Sequence, residues 1–595
     1  MNRAGSLLPI LPGTTISLQK SRWHLSLLLV FGAALGISGI RWGLPSARRL
    51  RAFPTGRPDA RTAERLEASW RAMYRGIEAA HEGMHPEEPP TYLHEFVRVD
   101  AGWRFPPPAL LNSYRSMILH SANPDEKKSF IILSRMRPKE FDFKPLYIQY
   151  GGAFIYPLGA FLKLSSLLGA FHAGNLSHFL QHPEDMANAY LCGRIFILIA
   201  HLATLALLFE CGFLLAGSGV GLWAALLYAV CPAVIDNIHI LKPHPYSALW
   251  TTTSILFALR AQKSGVRRDY LGCGAAAGMA AGSSLILAPL VALPLLPRWE
   301  RRPAAGKTET RSALLGTAVA MLIGAGTNPY LILHPSSFAW ETQIYSHQTF
   351  ALDVAHLPGL ARNLIAGMGA PLAILCCAAW LLACGQRGPR RLLAAASGAL
   401  FTALWLRFHD STEEFGGLRI FLSLFPMATL LASDALRRLS APTQTLILAL
   451  AVGAAGVRSA AILQALRADS GPESTRERAA LWIEDHIPPK ATIGMLRYPE
   501  PEYTPPFRLD RYTLLLFDHL RSLPANVEPE YLITDPQSRG ELGSWLRGRY
   551  DLAAEFLPPR VGWASISEDS FIDRRIFIFK IRARSFMDAP IKKQI

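Results

Sequence analysis

The chain is poor in cysteine, and its polar regions contain none. All seven cysteines lie in or beside apolar segments, no Cys-x-x-Cys pair occurs, and regions 45–188 and 464–595 are free of the residue. A disulfide framework and a cysteine zinc site are therefore not indicated. Cysteines in apolar surroundings act as small buried apolar residues.

Other signatures are also missing. The C-terminal region 464–595 has no P-loop, no Gly-x-Gly-x-x-Gly and no Gly-x-Ser-x-Gly sequence, so nothing there predicts a nucleotide site or a serine hydrolase. No convincing internal repeat is present. Transporters built from inverted repeats would show one, so this class is disfavoured.

What the chain does have is apolar sequence in long blocks. Of its 595 residues 50% are apolar, and 18% are charged; the mean hydropathy is +0.19. The blocks run to about 18–25 residues, the length needed for a helix to cross a bilayer. The sequence therefore predicts a polytopic α-helical membrane protein with polar appendages.

The net charge of +16 has a topological interpretation. In a soluble protein it would suggest nucleic acid. Here lysine and arginine cluster beside the apolar blocks, with no basic-aromatic stripe, as expected for the positive-inside rule. We therefore expect no nucleic-acid partner.

Charge also decides the topology. The block from Trp23 to about Gly43 is too long and too uniform for a cleaved signal peptide. Because it follows basic residues, we predict a first span with a cytoplasmic N-terminus. Segment 148–169 is apolar too. If it spanned, the basic loop 260–268 would lie outside, so we assign it as an interfacial helix.

About eleven membrane helices then result, the C-terminus lying outside. The further predicted spans are 189–212, 217–235, 245–262, a hairpin of two short helices at 270–283 and 284–298 with its tip near 282–284, then 312–333, 361–385, 391–408, 416–435 and 443–463.

Four regions result from this topology. They are an N-terminus with the first span (1–44), a large external loop (45–188), a multi-helix membrane domain (189–463) and a small soluble α/β domain (464–595). In the last region a helix is predicted at 479–487, ended by a Pro-Pro pair, with another helix at 541–549. Strands are predicted at 492–496, 512–517, 531–534 and 575–581.

The most informative polar motif is Asn-Pro-Asp-Glu at 123–126, in the external loop. Acids at this point can simply begin a helix, because they complement free backbone N–H groups and the helix dipole. Two motifs further along the chain favour a functional role for these acids as well. Lys-Pro-Leu-Tyr at 144–147 leads into the interfacial segment, and Gly193-Arg194 opens the next span.

In this order the motifs resemble the GT-C superfamily of membrane glycosyltransferases, near the protein O-mannosyltransferase and aminoarabinose transferase group. The Gly-rich hairpin 274–297, Asn-Pro-Tyr at 328–330, Arg419 with Pro426, and the tail sequence 480–489 resemble the same family. The chain departs from the pattern twice. First, the gap between the first span and Asp125 is longer than is usual in the family, which leaves Asp59 as another candidate acid. Second, Arg419 is followed by Ile420, where the family has a tyrosine.

The resemblance implies an inverting transfer of a sugar from a polyprenyl-phosphate donor to an acceptor hydroxyl. Asp125 is the expected general base, with Glu126 as its neighbour. Arg419, Lys242 and Arg194 are candidates for the donor phosphate, because that group gains negative charge as it leaves. Lys242 and Arg194 could instead be interfacial anchors.

Further residues could line the substrate pocket. They are Tyr147, His244, Glu341 and His347. The prolines around His244 also fit a plain structural turn. No cofactor is predicted and no metal-ligand spacing is evident, although a divalent metal stays open.

The sequence leaves the sugar open, and the acceptor could be a lipid, a glycan or a protein. The expected location is a bacterial inner membrane with a periplasmic C-terminal domain. Two alternatives remain: a transporter or flippase of a lipid-linked substrate, and a scaffold that presents the tail. Close approach of Asp125 to Arg419 or Lys242 would favour the enzyme.

Overall fold

The structure is a computed structural model of the full chain. It describes residues 18–81, 96–145, 150–301, 306–335, 354–408, 415–517, 523–524, 527–536, 542–543, 545–566 and 570–582.

Within this part the chain is mostly helical. The α-helices are Leu18–Ile37, Ala47–Leu50, Ala60–His81, Leu111–Leu119, Glu126–Arg135, Gly152–Leu167, Leu176–Gln181, Pro183–Ala216, Ser218–Ala229, Pro232–Ile238, Pro243–Ser264, Arg267–Ser283, Leu295–Glu300, Lys307–Gly326, Tyr330–Leu333, Leu357–Met368, Ala370–Cys384, Pro389–Phe408, Phe425–Leu436, Ala441–Asp469 and Thr475–His486. The 3₁₀ segments are Pro108–Leu110, Pro138–Glu140, Leu285–Ala292, Val354–His356, Phe415–Leu424 and Leu509–Arg511.

Four helices among the described residues are long and apolar enough to cross a bilayer. They are Pro183–Ala216, Pro389–Phe408, Gly416–Leu436 and Ala441–Asp469. The count rises to six if two bent helix pairs, broken by 65° and 115°, each form one span. The chain is thus a membrane protein of mainly helical structure, and the finer count of eleven stays a prediction.

The predicted hairpin begins as expected. Helix Arg267–Ser283 is followed by Ser284, and the chain returns as the 3₁₀ segment Leu285–Ala292. The helix packs closely on Lys307–Gly326, because a Cβ at Gly274 would overlap the carbonyl oxygen of Gly316. Small residues let membrane helices approach to backbone contact in this way.

One end of the helical body gathers the loops that the sequence places inside. Glu300 pairs with Arg391 at 2.6 Å and accepts a hydrogen bond from the Gly388 N–H. Asp434 pairs with Arg390 and Arg438, each at 2.7 Å. Loops that are distant in sequence therefore meet on one side.

The opposite end carries a six-stranded sheet. Its strands are β1 (Val97–Val99), β2 (Thr492–Met495), β3 (Thr513–Leu516), β4 (Tyr531–Thr534), β5 (Tyr550–Phe556) and β6 (Ile576–Ile581), in the order β1-β3-β2-β4-β6-β5. β2 pairs in parallel with β3 and β4, and the outer pairs are antiparallel. Four of these strands match the predicted runs within one or two residues.

β1 comes from the loop region 45–188 rather than from the tail. Val97 lies opposite Leu516 and Val99 opposite Leu514. One apolar core joins the two regions: it contains Tyr114 of the loop and Ile493 of the tail. We call this structure, formed by the loop helices, the sheet and helix Thr475–His486, the sheet layer.

The predicted interfacial segment forms helix Gly152–Leu167. Asn328 links the first turn of this helix to the hairpin. The Asn328 Oδ1 accepts a hydrogen bond from the Gly152 N–H at 2.9 Å, and the Asn328 Nδ2 donates to the Gly282 carbonyl at 3.0 Å. The Gly151 N–H donates to the Ser283 carbonyl at 3.1 Å. Asn328 thereby holds the start of helix Gly152–Leu167 against the hairpin.

Candidate functional site

Asp125 directly precedes helix Glu126–Arg135, but its side chain does not cap that helix. It is 19% exposed and faces three cations. Nζ of Lys242 contacts its Oδ2, Arg419 Nη2 lies 3.7 Å from the same oxygen, and Lys128 Nζ lies 3.5 Å from Oδ1. The carboxylate therefore does more than begin a helix.

The three elements of this cluster are held separately. Asn123 Oδ1 accepts a hydrogen bond from the Asp125 N–H at 3.0 Å, which sets the turn before the helix. Lys242 immediately precedes helix Pro243–Ser264 and is 3% exposed. Arg419 lies on the 3₁₀ segment Phe415–Leu424, where its Nη1 donates to the Gly416 carbonyl at 2.9 Å. Helix packing alone brings these residues together.

The cluster controls the charge of its members. Burial raises the pKa of Asp125, but Lys242, Arg419 and Lys128 together outweigh it and hold that pKa well below its usual range. Burial and the nearby Arg419 lower the pKa of Lys242 to about 8, although Asp125 opposes the shift. At neutral pH the cluster therefore carries one anion and an excess of cations.

Glu126, the next residue, has a different partner. Both it and Arg194 have no exposed side-chain surface, and Arg194 Nε and Nη2 donate to the two carboxylate oxygens at 2.8 and 2.7 Å. Arg194 Nη1 also donates to the carbonyls of Ile40 and Trp42, and the Leu241 N–H donates to Glu126.

The sequence predicts Glu126 as the neighbour that orients Asp125 or the acceptor, and Arg194 as either a donor-phosphate residue or an anchor. In the structure the donors of Arg194 are used by Glu126 and by the carbonyls of Ile40 and Trp42. Arg194 thereby ties the segment after the first helix to helix Glu126–Arg135, and Glu126 fixes the backbone next to Lys242. Both residues hold in place the backbone that carries Asp125 and Lys242.

The other predicted residues divide into two groups. His244 lies within the field of the cluster: burial, Lys242 and Arg419 lower its pKa well below the usual value, so its imidazole is neutral. Tyr147, Glu341 and His347 lie outside the described residues. The alternative acid Asp59 is exposed and caps helix Ala60–His81, accepting from the Thr62 N–H at 2.8 Å.

One member of the site was missed from sequence. Lys128 lies three residues after Asp125, a spacing that places side chains on one helix face, and its Nζ reaches the Asp125 carboxylate.

Among the described residues, no group of three or more His, Cys, Asp or Glu side chains is arranged to hold a metal ion.

No protein-family model matches this chain, and no curated protein matches it.

Several solved structures are similar to it. ArnT from Cupriavidus metallidurans bound to undecaprenyl phosphate is 15% identical, with 79% of this chain and 96% of that chain covered, at a TM-score of 0.40. AglB, an oligosaccharyltransferase from Archaeoglobus fulgidus in complex with an inhibitory peptide and a dolichol-phosphate, is 15% identical, with 79% and 59% covered and a TM-score of 0.41.

The arabinofuranosyltransferase AftD from Mycobacteria is 14% identical, with 80% and 39% covered and a TM-score of 0.38. These three are GT-C glycosyltransferases, the superfamily whose motifs the sequence resembles. Similarity this low does not assign an activity to the chain, so function has to be inferred from the residues of the site.

Proposed function

We propose that the chain is a membrane glycosyltransferase that moves a sugar from a polyprenyl-phosphate donor to an acceptor hydroxyl, with inversion at the anomeric carbon. The observation that carries the proposal is the contact of Asp125 with Lys242 and Arg419. It joins a carboxylate that could accept a proton to two cations that could hold a phosphate.

The reaction needs both functions at one place. The acceptor oxygen attacks the anomeric carbon while the bond from that carbon to the phosphate oxygen breaks, and the phosphate leaves with the electron pair. The acceptor proton passes to Asp125. Lys242 and Arg419 balance the charge that the leaving phosphate gains, and the planar fork of Arg419 matches phosphate oxygens. A single displacement of this kind inverts the anomeric configuration.

The same contact suggests how donor binding prepares the base. With both cations on Asp125, its carboxylate is a weak base, since its pKa is held well below the usual range. A donor phosphate competes for Lys242 and Arg419, which removes part of the charge that stabilises the ionised carboxylate. The pKa of Asp125 then rises, because burial raises it and the cations oppose burial less. The carboxylate becomes a stronger base when the donor is bound.

We also propose the finer topology: about eleven spans, a cytoplasmic N-terminus, and a site and tail on the periplasmic face of a bacterial inner membrane. The basic loops joined through Glu300 and Asp434 support a cytoplasmic assignment of that end. The site lies on the side of the sheet layer, because Lys127 Nζ is 3.9 Å from Glu502 Oε1.

The test begins with the lipid that co-purifies with the protein, identified by mass spectrometry and then used as the donor. Asp125→Asn should lower kcat by about two to four orders of magnitude, the usual contribution of a general base. Lys242→Met and Arg419→Gln should weaken the binding of undecaprenyl phosphate.

Asp59→Asn is the matched control, because Asp59 is an exposed helix cap in the same loop. It should leave turnover unchanged. Undiminished turnover in Asp125→Asn would remove the basis of the proposal.

A further inference from the structure

A cavity lies in the sheet layer, along the helix that begins after Asp125. Its volume is about 730 Å³, which is in the range of small-molecule sites. Helix Glu126–Arg135 presents one face to it, because Lys127, Phe130, Ile131 and Ser134 recur at helical spacing. Helix Ala60–His81 forms a facing wall.

The charged side chains that line this cavity are mainly cationic. Arg71, Arg75, Arg115 and Lys127 face it, with Glu67 as the acid, and Glu67 is already bonded to Arg71 and Ser177. The acids that balance Arg115 and Lys127 are Glu500 and Glu502. These two do not line the cavity, so the field within it favours an anion.

Arg115 is the most constrained of these cations. It is 4% exposed, and its guanidinium lies 4.3 Å from the ring centroid of Trp70. Its Nη1 has no hydrogen-bond partner among the residues that the structure describes. Burial lowers its pKa only to about 10, so it stays charged at neutral pH. A buried donor without a partner is costly, and the charge of this guanidinium adds to the field at the cavity wall.

Aromatic rings complete the wall. Trp70, Phe130 and Phe179 line the cavity beside the cations. Sugar rings pack their C–H faces on such rings, whereas their hydroxyl and acidic groups need polar partners. A cavity with both kinds of surface suits a sugar chain better than a bare inorganic ion.

The cavity and the cation cluster border the same helix, Glu126–Arg135. Lys127, at its near end, lies two residues after Asp125 and within the field of that carboxylate. From Lys127 to Ser134 the helix rises about 10 Å, which is the length of two or three sugar units.

We propose that this cavity binds an anionic saccharide, a sugar chain that carries a carboxylate or a phosphate, and that this saccharide is the acceptor of the transfer at Asp125. The identity of the ligand rests on the cavity; its role as acceptor rests on the proposed function.

The experiment measures binding to the purified full chain by isothermal titration calorimetry. The probes are trigalacturonate and glucose 6-phosphate, which carry the two acidic groups, and maltotriose as the neutral comparison. At least one anionic probe should bind ten times more tightly than maltotriose. Arg115→Met and Arg75→Ala should each weaken it at least fivefold. Arg75 is exposed, so its replacement leaves the fold intact.

Two controls separate this inference from the transfer reaction. Arg98→Ala removes an exposed arginine of β1 that does not line the cavity, and Asp125→Asn removes the proposed base. Both should bind the anionic probe as the unaltered protein does. If Asp125→Asn keeps both binding and turnover, the proposed reaction fails and the cavity assignment stands.

Equal binding of maltotriose, or no binding of either anionic probe, would overturn the inference. Unchanged affinity in both Arg115→Met and Arg75→Ala would do the same. Which acidic probe binds more tightly distinguishes a uronic acid from a sugar phosphate.

Discussion

Arg194 donates two hydrogen bonds to the Glu126 carboxylate, at 2.8 and 2.7 Å, and neither side chain is exposed. Because Glu126 also accepts from the Leu241 N–H at 2.7 Å, the pair fixes the distance between the start of the Asp125 helix and the turn before Lys242. Asp125 and Lys242, the proposed base and the cation that faces it, are thus positioned by their buried neighbours.

Breaking this pair should destabilise the protein strongly. Arg194→Met leaves a buried carboxylate without its partner, a change that costs about 3–5 kcal/mol. The apparent melting temperature of the purified protein should fall clearly. Arg57→Met breaks the exposed pair with Glu184 and should shift it little. Equal stability of the two variants would contradict the buried role.

The pH dependence should identify Lys242. Its pKa is about 8, and only its protonated form attracts the donor phosphate. The Lys242 contribution is therefore complete below that pH and is lost above it. The KM for the donor should rise by up to about tenfold for each pH unit above the pKa. The phosphodiester of the donor does not titrate in this range.

Lys242→Arg provides the control for that profile. A guanidinium stays protonated to a much higher pH, so the alkaline rise in KM should disappear from this variant. An unchanged profile would assign the titration to another group.

Asn328 should govern how the interfacial helix is held. Asn328→Ala leaves the Gly152 N–H and the Gly282 carbonyl without their side-chain partner, at a cost of about 1–3 kcal/mol for a buried group. Hydrogen exchange at residues 150–155 should accelerate. Asn175→Ala removes an exposed helix cap and should affect only its own helix. Unaltered exchange at 150–155 in Asn328→Ala would show that other contacts suffice.

The loop and the tail should unfold together. Val99 is 6% exposed and lies opposite Leu514 in the sheet, so Val99→Asp places a charge in the shared core. Limited proteolysis should then increase in both the loop and the tail. Arg98→Asp, on the exposed neighbour, is the comparison. Cleavage confined to the loop would mean that the tail folds without β1.

Sequence by itself determined the features that depend on short windows. Apolar length predicted the helical body, short strand-like runs placed β2, β3, β4 and β6, and turn chemistry ended the helix near Pro488. The motif order singled out Asp125, Lys242 and Arg419 for one site, and the structure brings their side chains together.

Only the tertiary structure decided which side of a helix each polar residue occupies. Asp125 and Glu126 are adjacent in sequence, yet one faces the cation cluster and the other is buried against Arg194. Hydropathy also could not reveal that β1 crosses from the loop into the tail sheet. These outcomes depend on contacts between residues far apart in the chain, which are fixed by helix packing and burial rather than by local sequence.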